Sequence, residues 1–381
     1  MMRGDRWLLV LALALTAVGL VMVYSSGSFY AFVHYHDENY FLRKQLVRTA
    51  LGVIALFACS RFVDLRRLEA AAPALLVTAC ALLVAVVVMG HVSKGATRWL
   101  KVGFMSLQPT DLARVAAVVF LAWWLKRRPV AELGFWRGVV PPMAVTALVA
   151  ALILKQPNLS SAALLLATGM IMLMLAGAPF RHLLAPVAAG AGVVLLALAA
   201  HGFHGYQLKR LNTFAAFLGG HADTHDALWQ LNQSLIAIGS GGVLGRGLGG
   251  GMQKLLFLPE AHTDFIFSII AEELGLLGST ALMVALGLFL WRGMRVAARC
   301  SEPFAALLAG GLTVQIGLYA VANLAVATGL APTTGLPLPF VSYGGSALLV
   351  NLAAVGILYR ISALNGETEA LTRQRWSREG A

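Results

Sequence analysis

The chain is a succession of long apolar runs with few charged residues anywhere along it. Of 381 residues, 59% are hydrophobic and only 12% are charged, and hydrophobic runs approaching 20 residues predict membrane-spanning helices. The runs lie at roughly 7–29, 46–60, 70–90, 111–125, 139–154, 161–176, 182–202, 263–291, 304–329 and 341–361. The sequence therefore predicts one all-α polytopic membrane domain over residues 1–362, with ten transmembrane helices.

Lysine and arginine residues at the helix ends predict that both termini are cytoplasmic, because cytoplasmic loops are richer in cations. With Arg3 and Arg6 inside, the short tail 363–381 is also inside, and the longest connection, about 203–262, forms a large outer loop between helices 7 and 8. Segment 226–238 of this loop has helical apolar spacing, which predicts an interfacial or re-entrant element. The net charge of +12 follows largely from this topology and from anionic inner-leaflet lipid, so no nucleic acid partner is expected.

A second set of cations lies on the predicted outer side, where the topology does not explain it. Convergent lysines and arginines at a helix mouth bind phosphate through charge-assisted hydrogen bonds. The set therefore predicts an anionic ligand at the outer face, such as a lipid pyrophosphate. The alternative is that each cation snorkels or pairs with a neighbour. The members are Arg43, Lys44, Arg48, Lys94, Arg98, Lys101, Arg114, Lys155, Lys209, Arg210, Arg246 and Lys254.

Acidic residues occur at the mouth and in the interior of one apolar run. Asp264 stands at the mouth, and Glu272 and Glu273 follow inside the run. Carboxylates inside a membrane are costly and usually functional, so Asp264 is the leading functional candidate. The alternative for Asp264 is a helix-capping acid paired with an outer arginine. The two glutamates are interpreted as structural, with Glu272 able to bond Asn323 or Asn351 on another helix.

Four polar motifs stand at predicted outer helix ends and are expected to converge on one cavity. Proline and glycine breaks at membrane depth are tolerated where the backbone is buried in protein or lines a wet cavity. The alternatives are a capped helix with an Asp111–Arg114 ion pair for the first motif and a plain turn for the last. The motifs are QPTDLAR at 108–114, KQPN at 155–158, PEAHTDFIF at 259–267 and GLPLPFVSYGGS at 335–346.

Two further patterns are weak functional signals. The glycine-rich stretch 239–251 has a GxGxxG-like spacing, but no strand precedes it and no GK[ST] follows, so a nucleotide-binding loop is not expected. The sequence HADTHD at 221–226 has closely spaced metal-ligand types. Histidine and aspartate residues in loops are more often solvated than ligating, so a metal site is not favoured there.

At the four motifs the chain resembles the SEDS family (shape, elongation, division and sporulation), which polymerises lipid-linked peptidoglycan precursor. The resemblance covers nearly the whole length. The segment 253–267 looks closer to the cell-division branch, FtsW, whereas 334–337 looks closer to the elongation branch, RodA. The matching segments are RKQL at 43–46, GATRWL at 95–100, QPTDLAR, KQPNLSSA at 155–162, WQLNQS at 229–234, QKLLFLPEAHTDFIF at 253–267 and GLPLPFVSYGGS.

The resemblance implies an inverting lipid II polymerase, a peptidoglycan glycosyltransferase at the outer face of the bacterial cytoplasmic membrane. It would act in septal synthesis during cell division, or alternatively in rod-shape elongation. Asp264 resembles the family's essential acid and is expected to be the general base. The expected substrate-binding residues are Lys44, Arg98, Trp99, Gln108, Asp111, Arg114, Lys155, Glu260, His262, Thr263 and Ser342.

The same resemblance implies partners, whereas a cofactor is not established by it. The family works with a class B penicillin-binding protein, a transpeptidase, and the division branch with other divisome proteins, all within membrane lipid. A divalent cation such as Mg²⁺ or Mn²⁺ could assist at the pyrophosphates.

Three positions depart from the family pattern. Thr110-Asp111 stands where Ser-Glu is usual, Arg114 where Lys is usual, and Asn158 where Asp is usual. The first two keep the hydroxyl, the acid and the cation. Asn158 removes a charge, so only amide hydrogen bonding remains at that position.

Two other classes of function remain alternatives. A lipid II flippase would also use a polar cavity and intramembrane acids, but it needs a polar path to the cytoplasmic side. Here the charged helix residues cluster toward the outside. A pure scaffold for division proteins would leave the outer acid-base cluster without a purpose.

Overall fold

The structure is a computed structural model and is built almost entirely of helices. It describes residues 4–89, 91–93, 96–102, 105–128, 130–184, 214, 217, 219 and 226–379. In chain order the longer elements are α1 (Arg6–Tyr35), α2 (Tyr40–Phe62), α3 (Leu65–Met89), α4 (Pro109–Arg127), α5 (Val130–Gly134), a π-helix (Phe135–Val139), α6 (Val140–Leu154), α7 (Leu159–Leu175), α8 (Asp226–Ser240), α9 (Ile266–Arg299), α10 (Pro303–Ala327) and α11 (Gly345–Glu379).

Within the described residues, seven helical segments are long and apolar enough to cross a membrane, and α7 is apolar but shorter. The nearly all-helical architecture agrees with the sequence-based expectation. The count of ten stays a prediction, because α4 and α7 are not among the seven segments and the run at 182–202 lies mostly outside the described residues. The seven segments are Arg6–Tyr35, Tyr40–Phe62, Leu65–Val88, Glu132–Leu154, Ile266–Arg299, Pro303–Ala327 and Gly345–Gly366.

The connection between α3 and α4 contains β-structure, so the expectation of an exclusively α-helical chain is wrong there. Three short antiparallel strands, β1 (His91–Ser93), β2 (Ala96–Val102) and β3 (Met105–Leu107), pair in the order β1-β2-β3. Threonine, tryptophan and valine in β2 favour strands, and pairing satisfies backbone groups in a connection too polar to form another spanning helix.

Helices α2 and α11 pack closely because small residues let their backbones approach. A Cβ atom added to Gly356 would lie 2.3 Å from the carbonyl oxygen of Leu56. Such close approach is typical of helix pairs in membranes, where packing rather than the hydrophobic effect drives association. This pair brings the start of α11 beside the start of α2.

Helix α9 is broken at Gly275, which has φ 66° and ψ −165°. The loop 241–251, here called the glycine loop, hydrogen-bonds both sides of the break. The amides of Arg246 and Gly247 donate to the carbonyls of Glu272 and Glu273, each at 3.0 Å. The amide of Leu276, beyond the break, donates to the carbonyl of Gly242 at 2.9 Å. The loop therefore replaces the backbone hydrogen bonds that the break removes, as apolar surroundings require.

The glycine loop follows directly on α8, so segment 226–238 is helical, as its apolar spacing indicated, and its interfacial or re-entrant placement stays a prediction. The side chain of Ser234 in α8 donates to the carbonyl of Ala327 and bonds Ser268 of α9, both at 2.6 Å. Helix α8 therefore packs between α9 and α10 and leads into the loop at the break.

The two glutamates just before the break are fully buried, and their carboxylates accept hydrogen bonds from side chains and backbone amides. Glu273 accepts from Ser25 and Lys254, both at 2.7 Å, and from the amide of Gly249 at 3.1 Å. Glu272 accepts from the amide of Met252 at 2.8 Å. We call Gly275, the glycine loop, Glu272, Glu273, Lys254 and Ser25 the buried clamp.

The partners of Glu272 correct the sequence-based expectation for this residue. No hydrogen bond joins Glu272 to Asn323 or Asn351 in the described residues, because the amides of Met252 and Gln253, just after the glycine loop, occupy its carboxylate. Arg246 lies 3.6 Å from Glu272, and Lys254 pairs with Glu273. These two cations of the predicted outer set therefore pair with acids of α9, as the alternative for that set proposed.

Candidate active site

The motifs predicted to converge do meet at one end of the helices. The hydroxyl of Ser346, at the start of α11, donates to Asp111 Oδ2 at 2.6 Å and accepts from the amide of Gln108 at 3.0 Å. Thr110 Oγ1 donates to Gln156 Oε1 at 3.2 Å. These bonds join QPTDLAR to both KQPN and GLPLPFVSYGGS. We call the meeting place of segments 108–114, 155–160, 259–267 and 334–346 the polar junction.

The start of α7 also belongs to the polar junction. Asn158 Oδ1 accepts from the amide of Ser161 at 3.2 Å and so caps α7. Ser160 Oγ donates to the carbonyl of Thr334 at 3.2 Å. Asn158, which stands where the resemblance leads one to expect an aspartate, therefore caps a helix in this chain.

A tight turn before α9 presents Asp264. Glu260 has a left-handed backbone conformation with φ 57°, and its carbonyl accepts from the amides of Thr263 and Asp264, both at 3.1 Å. Thr263 Oγ1 donates to Glu260 Oε2 at 3.0 Å. The turn places Asp264 two residues before the first residue of α9, where the helix N-terminus favours a negative charge. The residue is partly exposed.

Asn323 of α10 holds the backbone beside Asp264. Its Nδ2 donates to the carbonyls of Asp264 and Leu336, both at 2.8 Å. The backbone of Gly335, with φ 71°, runs alongside the carboxylate, and a Cβ added there would lie 3.7 Å from Asp264 Oδ2. Asn323 is a site residue that was predicted only as a partner of Glu272. A polar amide side chain inside an apolar helix is the sequence feature that could have marked it as functional.

Ser342 joins the last motif to the turn. Its hydroxyl donates to the carbonyl of Thr263 at 2.6 Å and accepts from the amide of Leu338 at 2.8 Å. The amide of Tyr343 donates to the carbonyl of His262 at 2.9 Å. Ser342 is buried, so its contacts in the structure position the turn, and its predicted contact with substrate remains a prediction.

Arg114 is buried between helices rather than displayed at a surface. Its Nη2 donates to Asn351 Oδ1 at 2.9 Å and lies 3.6 Å from Asp111 Oδ1. The guanidinium lies 4.3 Å from the ring centre of Tyr319. A buried cation with these partners is charge-compensated inside the protein. The Asp111–Arg114 ion pair that was the alternative for this motif is therefore present, and contact of either residue with substrate stays a prediction.

The other predicted substrate cations lie at the edge of the polar junction or beyond the described side chains. Lys44 is exposed and donates to the hydroxyl of Tyr40 at 2.5 Å. Lys155 is exposed and directly follows the last residue of α6. Trp99 lies in β2 opposite His91, and the neighbouring side chain of Arg98 lies outside the described part of the chain.

Arg48 lies at the polar junction, although it was not among the predicted substrate-binding residues. Its guanidinium lies 4.6 Å from the ring centre of Tyr343, which follows Ser342 in the last motif. Its Nη1 is buried without a hydrogen-bond partner among the described residues. The sequence showed Arg48 only as one of twelve outer cations. Which of them faces α11 depends on how α2 packs.

Potential metal ligands are scattered in the part of the chain that the structure describes. No group of three or more histidine, cysteine, aspartate or glutamate side chains there is arranged so that it could hold a metal ion. Residues 221–225 of the HADTHD sequence lie outside the described residues, as do Lys94, Lys209 and Arg210 of the outer cation set.

The apolar helices and the polar junction at one end of them define a multi-pass membrane protein with a cluster of ionisable and amide side chains at a helix mouth. The family model of FtsW, RodA and SpoVE, described as cell cycle proteins, matches residues 5–367. The chain belongs to this family.

Relatives with assigned names support the same relationship. The probable peptidoglycan glycosyltransferase FtsW of Geobacter metallireducens is 40% identical over 365 residues, covering 94% of this chain and 95% of that protein. Stage V sporulation protein E of Bacillus subtilis is 36% identical over 361 residues, covering 94% and 96%.

Solved structures share the fold. Thermus thermophilus rod shape determining protein RodA is similar with a TM-score of 0.69 and 30% identity, covering 95% of this chain and 97% of that chain. A chain from a peptidoglycan synthase complex, studied for the coordination of polymerization and crosslinking, gives a TM-score of 0.78 and 30% identity, covering 96% and 99%.

Proposed function

We propose that this protein is a peptidoglycan glycosyltransferase that polymerises lipid II into glycan strands, in septal cell-wall synthesis during division. The names of its relatives support the activity, and the named FtsW relatives support the division role. The observation that carries the proposal is the position of Asp264. Its backbone is held by Asn323 and by the turn at Glu260, while its partly exposed side chain lies in the polar junction.

The geometry suits a single general base. The Asp264 carboxylate takes the proton from the acceptor sugar hydroxyl, and the hydroxyl oxygen attacks the anomeric carbon of the donor. Undecaprenyl pyrophosphate leaves with the electrons of the broken bond, so the anomeric configuration inverts. One positioned carboxylate suffices, since inversion by direct attack needs no enzyme nucleophile.

The leaving pyrophosphate needs cations, because charge develops on it as the glycosidic bond breaks. We assign this role to Lys44, Lys155 and Arg98, and add Arg48 from its position beside Tyr343. Arg114 contributes through Asp111 and Asn351, which it contacts inside the protein. A divalent cation such as Mg²⁺ or Mn²⁺ would add positive charge at the pyrophosphates, and no step above depends on it. The proposed lining residues are Trp99, Gln108, Asp111, Glu260, His262 and Thr263.

The proposal includes a topology and partners. The chain crosses the cytoplasmic membrane ten times, with both termini inside, residues 203–262 as the outer loop and the polar junction facing outward. The partner is a class B penicillin-binding protein, as the likeness to a chain of a peptidoglycan synthase complex supports. Other divisome proteins bind the same assembly.

The test is polymerisation of labelled lipid II by the full chain reconstituted with a class B penicillin-binding protein. Asp264→Asn should lower the rate by about 10²–10⁴-fold, the usual contribution of a general base, while thermal stability is unchanged. Glu38→Gln is the matched control, because Glu38 is an exposed acid outside the polar junction.

Normal polymerisation by Asp264→Asn would refute the assignment of the base. Transport of lipid II across the bilayer without polymer, by a folded native chain, would replace the proposed activity with a flippase.

A further inference from the structure

A basic cavity lies at the end of the molecule opposite the polar junction, between the start of α1, the end of α9 and α11. Its volume is about 450 Å³, and four arginines and one aspartate are among its lining residues: Arg6, Arg292, Arg295, Arg299 and Asp5. We propose that this cavity binds the phosphate headgroup of an anionic phospholipid. The inner-leaflet location rests on the topology proposed above, whereas the binding itself does not.

The charges in the cavity are only partly compensated. Asp5 Oδ2 lies 3.3 Å from Arg292 Nη1, and Asp5 Oδ1 accepts from the amide of Trp7 as the cap of α1. Among the described residues, Arg6, Arg295 and Arg299 make no ion pair. Three positive charges therefore line one concavity without a described counter-charge, and an anion held there would offset their mutual repulsion.

The other polar groups of the wall are already hydrogen-bonded within the protein. The hydroxyl of Ser362 accepts from the amide of Asp5 at 2.9 Å and donates to the carbonyl of Tyr359 at 2.7 Å. Asn365 Nδ2 donates to the carbonyl of Val296 at 3.3 Å. The guanidinium groups are thus the donors left for a ligand. Their planar forks fit phosphate oxygens, which is why arginine is preferred to lysine for this contact.

Aromatic and apolar residues beside the cavity indicate a lipid rather than a soluble phosphate. Trp7 and Trp291 are 58% and 52% exposed, and exposed tryptophans mark the headgroup level of a membrane. The guanidinium of Arg295 lies 5.2 Å from the ring centre of Trp291. Val10 and Leu288, about one turn further along α1 and α9 toward the middle of the molecule, are also exposed and offer a surface for acyl chains. Basic pockets between spanning helices on the cytoplasmic side bind anionic headgroups.

The experiment measures lipid retention by the purified full chain with native mass spectrometry, in detergent containing phosphatidylglycerol or phosphatidylcholine. The native chain should retain phosphatidylglycerol preferentially. Each arginine near a membrane surface contributes about fivefold to binding, so replacing Arg292, Arg295 and Arg299 together by glutamine should weaken retention on the order of 100-fold. The triple Arg→Lys variant keeps the charges and should keep most of the binding.

The matched control is Arg61→Gln with Arg66→Gln and Arg67→Gln, which removes the same charge from the end of α2 and the start of α3, outside the cavity. It should retain phosphatidylglycerol as the native chain does. Equal retention by the cavity variant, or equal loss in the control, would overturn the proposal.

Two further measurements keep the test decisive. Displacement of the lipid by millimolar inorganic phosphate would show a soluble phosphate site and overturn the lipid assignment. If the triple glutamine variant does not fold, Arg299→Gln alone decides, because Arg299 is exposed; about fivefold weaker retention is expected, and no change refutes the site. Binding is measured without glycosyl transfer, so its failure is distinct from failure of the proposed activity.

Discussion

The turn that carries Asp264 and the buried clamp both lie near the start of α9, yet Asp264 and the clamp glutamates are held in different ways. In the clamp, Glu272 and Glu273 have no exposed surface, and their oxygens accept from backbone amides and from Lys254. In the junction, Asp264 is partly exposed, and Asn323 holds its backbone carbonyl. The clamp glutamates are thus held through their enclosed carboxylate oxygens, whereas Asn323 holds Asp264 through its backbone carbonyl.

The energetics follow the same division. A buried carboxylate that loses its cation costs several kcal/mol, so the clamp must be complete for the helix break to be stable. The junction tolerates a partly exposed acid because solvent and substrate can reach it. Changes in the clamp should therefore affect folding first, and changes in the junction should affect activity first.

The largest effect on stability is expected for Lys254→Met. Glu273 would keep its charge without the cation, and we expect the free energy of unfolding to fall by about 3–5 kcal/mol, measured by denaturant unfolding in detergent. Adding Glu273→Gln removes the uncompensated charge and should restore most of the loss. A double variant as unstable as the single one would show that the ion pair does not hold the clamp.

A slightly smaller loss is expected for Gly275→Ala. The added Cβ would lie 2.3 Å from the amide nitrogen of Gly245, and the φ of 66° is unfavourable for alanine, so we expect about 3 kcal/mol of destabilisation in the same unfolding assay. Gly287→Ala is the control on the same helix, because a Cβ there meets no atom within 4 Å. It should stabilise the helix by up to about 1 kcal/mol. Equal stability of the two variants would contradict the role of the break.

The smallest stability effect, with a clear effect on rate, is expected for Asn323→Ala. The buried carbonyl of Leu336 and the partly buried carbonyl of Asp264 lose their donor, which costs about 1–3 kcal/mol. The turn that carries Asp264 loosens, and polymerisation should fall on the order of 100-fold at a temperature where the variant is folded.

Gln315→Leu is the control for Asn323, because Gln315 is a buried amide earlier on α10 whose Nε2 has no partner among the described residues. It should keep the native rate. If the Asn323→Ala variant polymerised lipid II at the native rate, Asn323 would not be the residue that positions Asp264.

The architecture was largely readable from the sequence, whereas the contacts of the site were readable only in part. Helix α10 was predicted at 304–329 and is found at Pro303–Ala327, because a long apolar run is a local signal. The strands after α3 were missed, since short β-ribbons in a polar connection leave little periodicity. The convergence of the four motifs was correctly predicted, but the partners of Glu272 were not, because they come from a glycine-rich loop without helical periodicity.

The formation of apolar helices, the polar residues at their ends and the place of Asp264 at a helix mouth could all be predicted from neighbouring residues in the chain. The pairing of Lys254 with Glu273, the contact between Arg114 and Asn351 and the position of Arg48 beside the junction became visible only in the packed fold. The difference comes from the distance along the chain between the residues involved. An apolar run consists of consecutive residues and can be recognised locally. The partner of a charged side chain depends on how helices from distant parts of the chain pack together.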